Sequence, residues 1–234
     1  MRFYLFLLLL SGIQFTNAQL IEFGIGPGTL NYAGDLVKGV QLANSSPAVQ
    51  VHHRMNLSKV VSVRWALTYG KIKGSDTYSN DPFGLQRNGS FNLNIAELSS
   101  TFEYHFLDYK HDKSHVRWSP YAFFGIGFTR LYKAPGTYGD YNPTQAIIPY
   151  GIGFKQLIGR RFSSGIEFGV RQTFFDYLDT YADGDQTVKD FQYGNPADRD
   201  VYYFVGISLS YIVYKIPCPF PYVPNRYMLR TYFR

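Results

Sequence analysis

Residues 61–69 read VSVRWALTY, and every second side chain in this stretch is large and apolar. Between them lie Ser62, Arg64, Ala66 and Thr68, which are small or polar. Successive side chains of a β-strand point to opposite faces of a sheet, so this period of two predicts a strand with one apolar and one polar face. Whether the apolar face contacts lipid or a protein interior depends on how many such strands the chain contains.

The same alternation occurs in several other segments of the chain. Together with the first, they lie at residues 21–26, 49–57, 61–69, 97–106, 121–129, 148–155, 166–171 and 203–213. The segment from Val49 to Leu57 is the weakest, and it is needed as the second strand. Turn-rich stretches separate the segments, so the chain is predicted to be all-β with eight strands, an even number.

The character of the apolar face favours a membrane barrel over a soluble β-sandwich. The apolar face is large and aromatic in nearly every segment, whereas the other face carries Glu, Arg, Lys, Ser and Gly. A soluble barrel or sandwich would have to hold all these large side chains in its interior, where they hardly fit. If the apolar face meets lipid instead, the polar face lines a narrow lumen.

The connections between the segments alternate in length. The long ones lie near residues 33–48, 74–92, 133–146 and 178–200, those at 56–59 and 159–160 are tight, and 107–119 is intermediate. Long extracellular loops and short periplasmic turns are typical of outer-membrane barrels. Residues 19–214 are therefore predicted to form an eight-stranded antiparallel transmembrane β-barrel of OmpA-like size, located in the outer membrane among its lipids.

The composition excludes several other classes of protein. The chain has 234 residues, of which 21 are Tyr, 20 Phe and 22 Gly, as in all-β proteins. A mean hydropathy of −0.18 excludes a bundle of membrane-spanning helices. The single Cys excludes a disulfide framework and a Cys-rich zinc site, and the five His show no metal-ligand spacing. We therefore expect neither a metal nor a cofactor.

The first 18 residues are predicted to be a signal peptide. Arg2 is followed by an unbroken apolar run over residues 3–10, and the stretch ends in Thr16-Asn17-Ala18, with small residues before the cleavage site. The mature chain then begins at Gln19, and cleavage falls between Ala18 and Gln19. An N-terminal anchor is the alternative, but the apolar run is too short to span a membrane. Export also argues against nucleic acid as the partner of this chain of net charge +6.

The polar face of the strands contains charged residues of both signs. They are Glu22, Arg64, Glu97, Glu103, Lys155, Glu167 and Arg171. A buried charge is tolerated only when it is paired, because an isolated one costs several kcal/mol, on the order of 5. The predicted lumen is therefore an ionic plug and not a pore.

Residues for catalysis cannot be paired by their spacing. Small outer-membrane barrels can be lipid hydrolases with a Ser and a His, but Ser114-His115 lies in a predicted turn and His105 is predicted to face the lumen. The protein is therefore predicted not to be an enzyme. Asp176, Asp179, Asp183 and Asp185, at the end of the seventh strand and in its loop, could hold calcium, although a solvated acidic loop is the simpler interpretation.

The last 20 residues, 215–234, differ from the rest of the chain. The alternation stops, prolines stand at 217, 219, 221 and 224, and the segment contains four basic residues and no acid. Loss of Arg2 brings the mature chain to +5, and the tail holds +4 of this, which leaves +1 for residues 19–214. The basic character of the mature chain is therefore predicted to be concentrated in a periplasmic tail.

The tail is rich in aromatic and apolar residues, which predicts a segment that binds a partner; a disordered tail is the alternative. The predicted partner-binding residues are Pro217, Cys218, Pro219, Phe220, Pro221 and Tyr222. No internal bridge is possible for the only thiol, so Cys218 is a candidate for an intermolecular disulfide in an oxidising compartment. A free or capped thiol is the alternative.

Four stretches give the chain a resemblance to a known family. They are IEFGIGPGTLNYAGDL at 21–36, IPYGIGFKQLI at 148–158, SSGIEFGVRQTFFDYLDT at 163–180 and VYYFVGISLSYIVY at 201–214, the last followed by Cys-Pro. Across essentially the whole mature chain the sequence resembles PorG, the small outer-membrane barrel of the type IX secretion system of Bacteroidota. The extension from Asn225 onward has no match in this resemblance.

The resemblance implies a function and partners. PorG associates with the periplasmic ring of the lipoprotein PorK and PorN and helps to fix that ring to the outer membrane. By this resemblance, Cys218 and its flanking prolines would meet PorK. The sequence thus predicts a non-enzymatic anchor in protein secretion. The alternative is a free-standing barrel that stabilises the envelope or binds ligands with its surface loops.

Overall fold

A computed structural model describes residues 20–33, 44–75, 90–110, 115–132, 143–159, 161–174 and 201–213. The predicted signal peptide, including Ala18 and Gln19, lies outside the described residues, and so does the predicted tail. The two predictions stay predictions.

Eight strands form the described part of the chain. They are β1 Leu20–Ala33, β2 Ser46–Asn56, β3 Val61–Ser75, β4 Ser90–His105, β5 Trp118–Tyr132, β6 Thr144–Ile158, β7 Phe162–Thr173 and β8 Val201–Val213. Each strand pairs antiparallel with the next, and β1 also pairs with β8, so the sheet closes into a barrel. The predicted fold class is confirmed, including the weak second strand. No helix among the described residues is long and apolar enough to cross a membrane.

The two ends of the barrel differ in their connections. Residues 57–60, 106–117 and 159–161 join strands at one end, which we call the turn end. Residues 34–45, 76–89, 133–143 and 174–200 join strands at the opposite end, the loop end. Ile21 pairs with Val213, so the chain enters and leaves the barrel at the turn end. The two tight turns lie at the same end, as predicted, but the 106–117 connection at that end is no shorter than 34–45 or 133–143 at the loop end.

The outward face of the barrel is apolar from strand to strand. Near its middle, Phe124 and Ile126 are 66% and 69% exposed, which is far more than a water-soluble protein tolerates over a continuous surface. Aromatic side chains ring the turn end, with Trp118 stacked on Phe154 at 5.4 Å and Phe162 packed edge-on against Tyr211 at 5.5 Å. An apolar band bordered by an aromatic girdle is the surface that a lipid bilayer requires. The chain is a small outer-membrane barrel.

The inward face has two halves of different chemistry. Near the loop end, the interior is an apolar cluster formed by Leu30, Tyr32, Ile72, Phe91, Leu93, Ile95, Leu131, Ile147, Tyr202 and Phe204. Near the turn end, the interior is charged. The sequence predicted only the charged half, because the alternation reverses on β3 and β4 near the loop end. There Lys71 and Asn94 face outward, whereas Ile72 and Ile95 face inward.

Pairing between strands is interrupted at two places that contain a proline. The pairing of β1 with β8 is missing at Gly26 and Pro27, and the pairing of β5 with β6 is missing opposite Pro149. Proline has no N–H to donate to a neighbouring strand. A Cβ atom at Gly26 would collide with the backbone carbonyl of Ile207 on β8, so glycine allows the two strands to approach closely here.

We expect Gly26→Ala to destabilise the barrel by about 1–3 kcal/mol, because the added methyl group forces two backbones apart. Unfolding by urea in lipid vesicles measures the change. Gly165→Ala is the matched control, since the nearest atom to its Cβ would be the Ser208 hydroxyl at 3.0 Å, a side chain that can move. Equal losses in the two variants would contradict the role given to Gly26.

Candidate functional site

Eight charged side chains line the lumen from the turn end up to the apolar cluster. They are Glu22, Arg54, Arg64, Glu97, Glu103, Lys155, Glu167 and Arg171, and none is more than 5% exposed. Each occupies an inward position of its strand, because the side chains of a strand alternate between the two faces. All seven charged residues that the sequence assigned to the lumen lie there. The eighth, Arg54, was not predicted.

Arg54 lies at the centre of the network. Its guanidinium donates to both carboxylate oxygens of Glu103, with Nε–Oε2 at 2.7 Å and Nη2–Oε1 at 3.1 Å. Its Nη1 also donates to Oε2 of Glu22 at 3.2 Å. Glu22 accepts further hydrogen bonds from Lys155 Nζ and, at 2.8 Å, from the amide of Asn56. A guanidinium can serve two carboxylates because its donors are arranged in a planar fork.

The network continues from Glu103 towards the loop end. Arg64 Nε lies 3.0 Å from Glu103 Oε1, and Arg64 Nη1 donates to Glu167. Arg171 then lies 3.4 Å from both Glu167 and Glu97. At the far end, Tyr202 donates its hydroxyl to Glu97 at 2.7 Å, and Tyr202 itself belongs to the apolar cluster.

These contacts form one ladder in which the signs of the charges alternate. Its order is Lys155, Glu22, Arg54, Glu103, Arg64, Glu167, Arg171 and Glu97. Four acids and four bases give a net charge of zero. Because every carboxylate contacts at least one cation, the cost of removing the charges from water is offset along the whole ladder. In the described residues, charged and apolar side chains together fill the lumen as a plug.

Arg54 could have been found from the sequence. It lies on the weakest of the eight segments, where His53 and Met55 face outward and provide little contrast with the inward His52 and Asn56. The antiparallel register places Arg54 directly beside Glu22 and Arg64. A count of the charges gives the same signal, because the seven predicted residues comprise four acids and only three bases.

The connection between β4 and β5 covers the turn end of the lumen. Tyr109 is buried, its ring centroid lies 5.1 Å from that of His105, and Lys155 Nζ stands 5.4 Å from the Tyr109 ring. Lys110 donates to the Ser62 hydroxyl at 2.8 Å and to the Ser58 carbonyl at 3.3 Å, which ties this connection to the β2–β3 turn.

The environment of this cover shifts the pKa values of both residues. Burial raises the pKa of the Tyr109 hydroxyl well above its usual value, and the Glu22 carboxylate contributes in the same direction. Burial, followed by the nearby charge of Lys155, lowers the pKa of Lys110 to about 7. The turn end is therefore covered by a phenol that stays neutral and an amine that loses its proton near neutral pH.

A buried histidine and serine come together in the lumen. His52 Nε2 lies 3.1 Å from Ser210 Oγ, whereas Nδ1 of His52 has no partner among the described residues. Both side chains are enclosed, so the pair offers no surface to a substrate. Ser114 lies outside the described residues, and His115 is exposed in the β4–β5 connection. His105 faces the lumen beside Glu103, as the sequence predicted.

The described residues contain no group of three His, Cys, Asp or Glu side chains that could hold a metal ion. The four aspartates of the possible calcium site, Asp176, Asp179, Asp183 and Asp185, lie outside them. So do the six predicted partner-binding residues, from Pro217 to Tyr222, and the candidate disulfide residue Cys218. The resemblance to PorG also draws on residues 175–180, which are likewise outside the described part of the chain.

A sequence profile for the domain of unknown function DUF6089 matches residues 1–222. The chain belongs to the DUF6089 family. The match includes Pro217–Tyr222 of the predicted tail, and it ends before the extension that starts at Asn225. No curated protein matches the sequence.

Solved structures similar to this DUF6089 barrel are distant in sequence. Ail of Yersinia pestis is 10% identical with a TM-score of 0.48, and the alignment covers 84% of this chain and 100% of Ail. The N-terminal β-barrel domain of Pseudomonas aeruginosa OprF is 12% identical with a TM-score of 0.45, covering 84% and 98%. Neisserial surface protein A is 7% identical with a TM-score of 0.48, covering 83% and 97%. At these identities the likeness concerns the fold alone.

We expect Glu103→Gln to lower the free energy of unfolding by about 3–5 kcal/mol, because it leaves Arg54 and Arg64 without the carboxylate that both contact. Urea unfolding in lipid vesicles measures the loss. Asp108→Asn is the control: it removes an exposed ion pair with Lys59 at 3.7 Å and should cost about 1 kcal/mol or less. A loss in Glu103→Gln no larger than in the control would contradict the ladder's role.

Stability should rise as the pH increases above about 7, because the pKa of Lys110 is lowered to about 7 in the folded barrel. In the unfolded chain this lysine stays protonated up to about pH 10.4. Between these two pH values the unfolded state therefore binds more protons than the folded state, so the free energy of unfolding increases with pH. Lys110→Met removes this contribution. The difference in unfolding free energy between the wild type and the variant should change with pH between these limits, and a constant difference would contradict the assignment.

Proposed function

We propose that this DUF6089 barrel is a non-enzymatic component of the type IX secretion system, in which it anchors the periplasmic PorK/PorN ring to the outer membrane through residues 215–234. The observation that carries the proposal is the filled lumen. A barrel plugged by a neutral ion-pair ladder is suited to holding a fixed position in the membrane and is not suited to conducting a substrate.

The position of the chain ends supports the use of the tail as a docking segment. Ile21 and Val213 pair at the turn end, so the residues after Val213 leave the barrel at that end. In outer-membrane barrels the end with short turns faces the periplasm. A tail of 20 residues beginning there would therefore start on the side where a periplasmic ring lies.

The chemistry of the tail suits a protein partner better than solvent. The six residues from Pro217 to Tyr222 alternate proline with cysteine and aromatic side chains. Prolines restrict the backbone before binding, so less conformational entropy is lost when the segment docks, and aromatic rings supply apolar area. These residues lie within the DUF6089 match, whereas residues 225–234 lie beyond it.

The proposal predicts that deletion of residues 216–234 abolishes capture of PorK and PorN by the tagged barrel from detergent-solubilised membranes. The matched control is a shorter deletion of residues 225–234, which spares the part of the tail within the DUF6089 match and should retain the ring proteins. Both variants should still form the folded barrel. A difference in electrophoretic mobility between unheated and heated samples checks that they do. Full capture with the longer deletion would contradict docking through the tail.

Cys218→Ser separates a covalent link from a non-covalent one in the same capture. On non-reducing gels, an adduct of the barrel with PorK should be present in the wild type and absent in Cys218→Ser. If no adduct forms, but the ring proteins are still captured, the tail docks without a disulfide. If secretion and capture are both unaffected by every tail variant, the free-standing barrel becomes the better proposal.

A further inference from the structure

The outward face of the barrel carries very few charged side chains. Among the outward-facing strand residues that the structure describes, they are Lys71, Lys73 and Arg130, and no carboxylate accompanies them. All three lie near the loop end, on β3 and β5. The described outward positions therefore carry three cations and no acid. Their positive charge is not balanced by another side chain of the same described surface.

The strand register brings these three residues to one patch. Lys71 pairs with Asn94 of β4, and Asn94 pairs with Tyr132 of β5. Lys73 pairs with Asn92 in the same β3–β4 ladder. Arg130 pairs with Ala96, two residues along β4 from Asn94. Because neighbouring strands are about 4.8 Å apart and each residue advances about 3.4 Å, the patch measures about 10 Å across the strands and about 14 Å along them. We call Lys71, Lys73, Asn92, Asn94 and Arg130 the basic patch.

The position of the patch along the strands sets the kind of ligand. Immediately towards the middle of the barrel, Tyr69, Leu98 and Phe128 are more than half exposed and form part of the apolar band. Arg130 stands 5.8 Å from the ring of Tyr132, an aromatic residue of the girdle type. Long basic side chains at such a boundary extend their charges towards the level of lipid headgroups.

We propose that the basic patch binds the phosphorylated headgroup of a lipid in the leaflet that surrounds the loop end. Arg130 and the two lysines supply charge-assisted hydrogen bonds to phosphate oxygens, and the amides of Asn92 and Asn94 supply neutral donors between them. The acyl chains of the same lipid lie along the apolar band below. A free anion would gain only the polar half of these contacts.

The test compares the full mature barrel with two triple variants of equal charge. In the first, Lys71, Lys73 and Arg130 are replaced by Gln; in the second, Lys59, Arg117 and Arg161 at the turn end are replaced by Gln. Each protein is placed in phosphatidylcholine nanodiscs containing either lipid A or chemically dephosphorylated lipid A. Native mass spectrometry after release from the nanodisc measures the fraction of protein that retains each lipid.

The wild type and the turn-end variant should retain lipid A in preference to its dephosphorylated form. Loss of the basic patch should reduce this preference by about five-fold for each basic residue removed. Equal preference in all three proteins would overturn the proposal, as would an equal loss in both variants. Inorganic phosphate is added in a separate measurement as a competitor. If it displaces lipid A completely, the patch binds a free anion instead. Mobility before heating verifies that each variant is folded.

Discussion

The interior of this barrel depends on the alternation of carboxylates and cations along a single ladder. An eight-stranded barrel has a lumen just wide enough for side chains, so each charge in it has lost most of its water. Four acids and four bases solve this problem only if each lies between partners of opposite sign, as Arg54 does between Glu22 and Glu103. The order of the charges therefore matters as much as their number.

The filled lumen determines where function can lie. With charged side chains in one half and the apolar cluster in the other, the described interior leaves its buried His52–Ser210 pair without access to a substrate. Tyr109 adds a cover at the turn end. Surfaces that can meet a partner are therefore the outward face, the loop end and the chain segments that leave the barrel. The basic patch lies on one of these surfaces, and the predicted docking tail is another.

Periodicity predicted most of the fold because the two faces of most strands meet opposite environments, lipid and a polar lumen. It failed where that contrast is weak. Arg54 was missed because the two faces of β2 differ little near it, with His53 facing outward and His52 inward. The apolar half of the lumen was missed because the alternation of β3 and β4 reverses near the loop end, where Asn94 faces outward and Ile95 inward. Tyr109 could not be found at all, since no period places a turn residue over a lumen.

The ladder also fits the mechanical task that an anchor would perform. Hydrogen bonds along the backbone join only neighbouring strands, and they leave the cross-section of a barrel free to deform. The contacts of Arg54 with Glu103, Arg64 with Glu167 and Lys155 with Glu22 join β2 to β4, β3 to β7 and β1 to β6. These pairs cross the lumen between strands that are not neighbours. Deforming the barrel would separate buried opposite charges. The ion pairs across the lumen therefore make the barrel resist deformation by a force applied at the turn end.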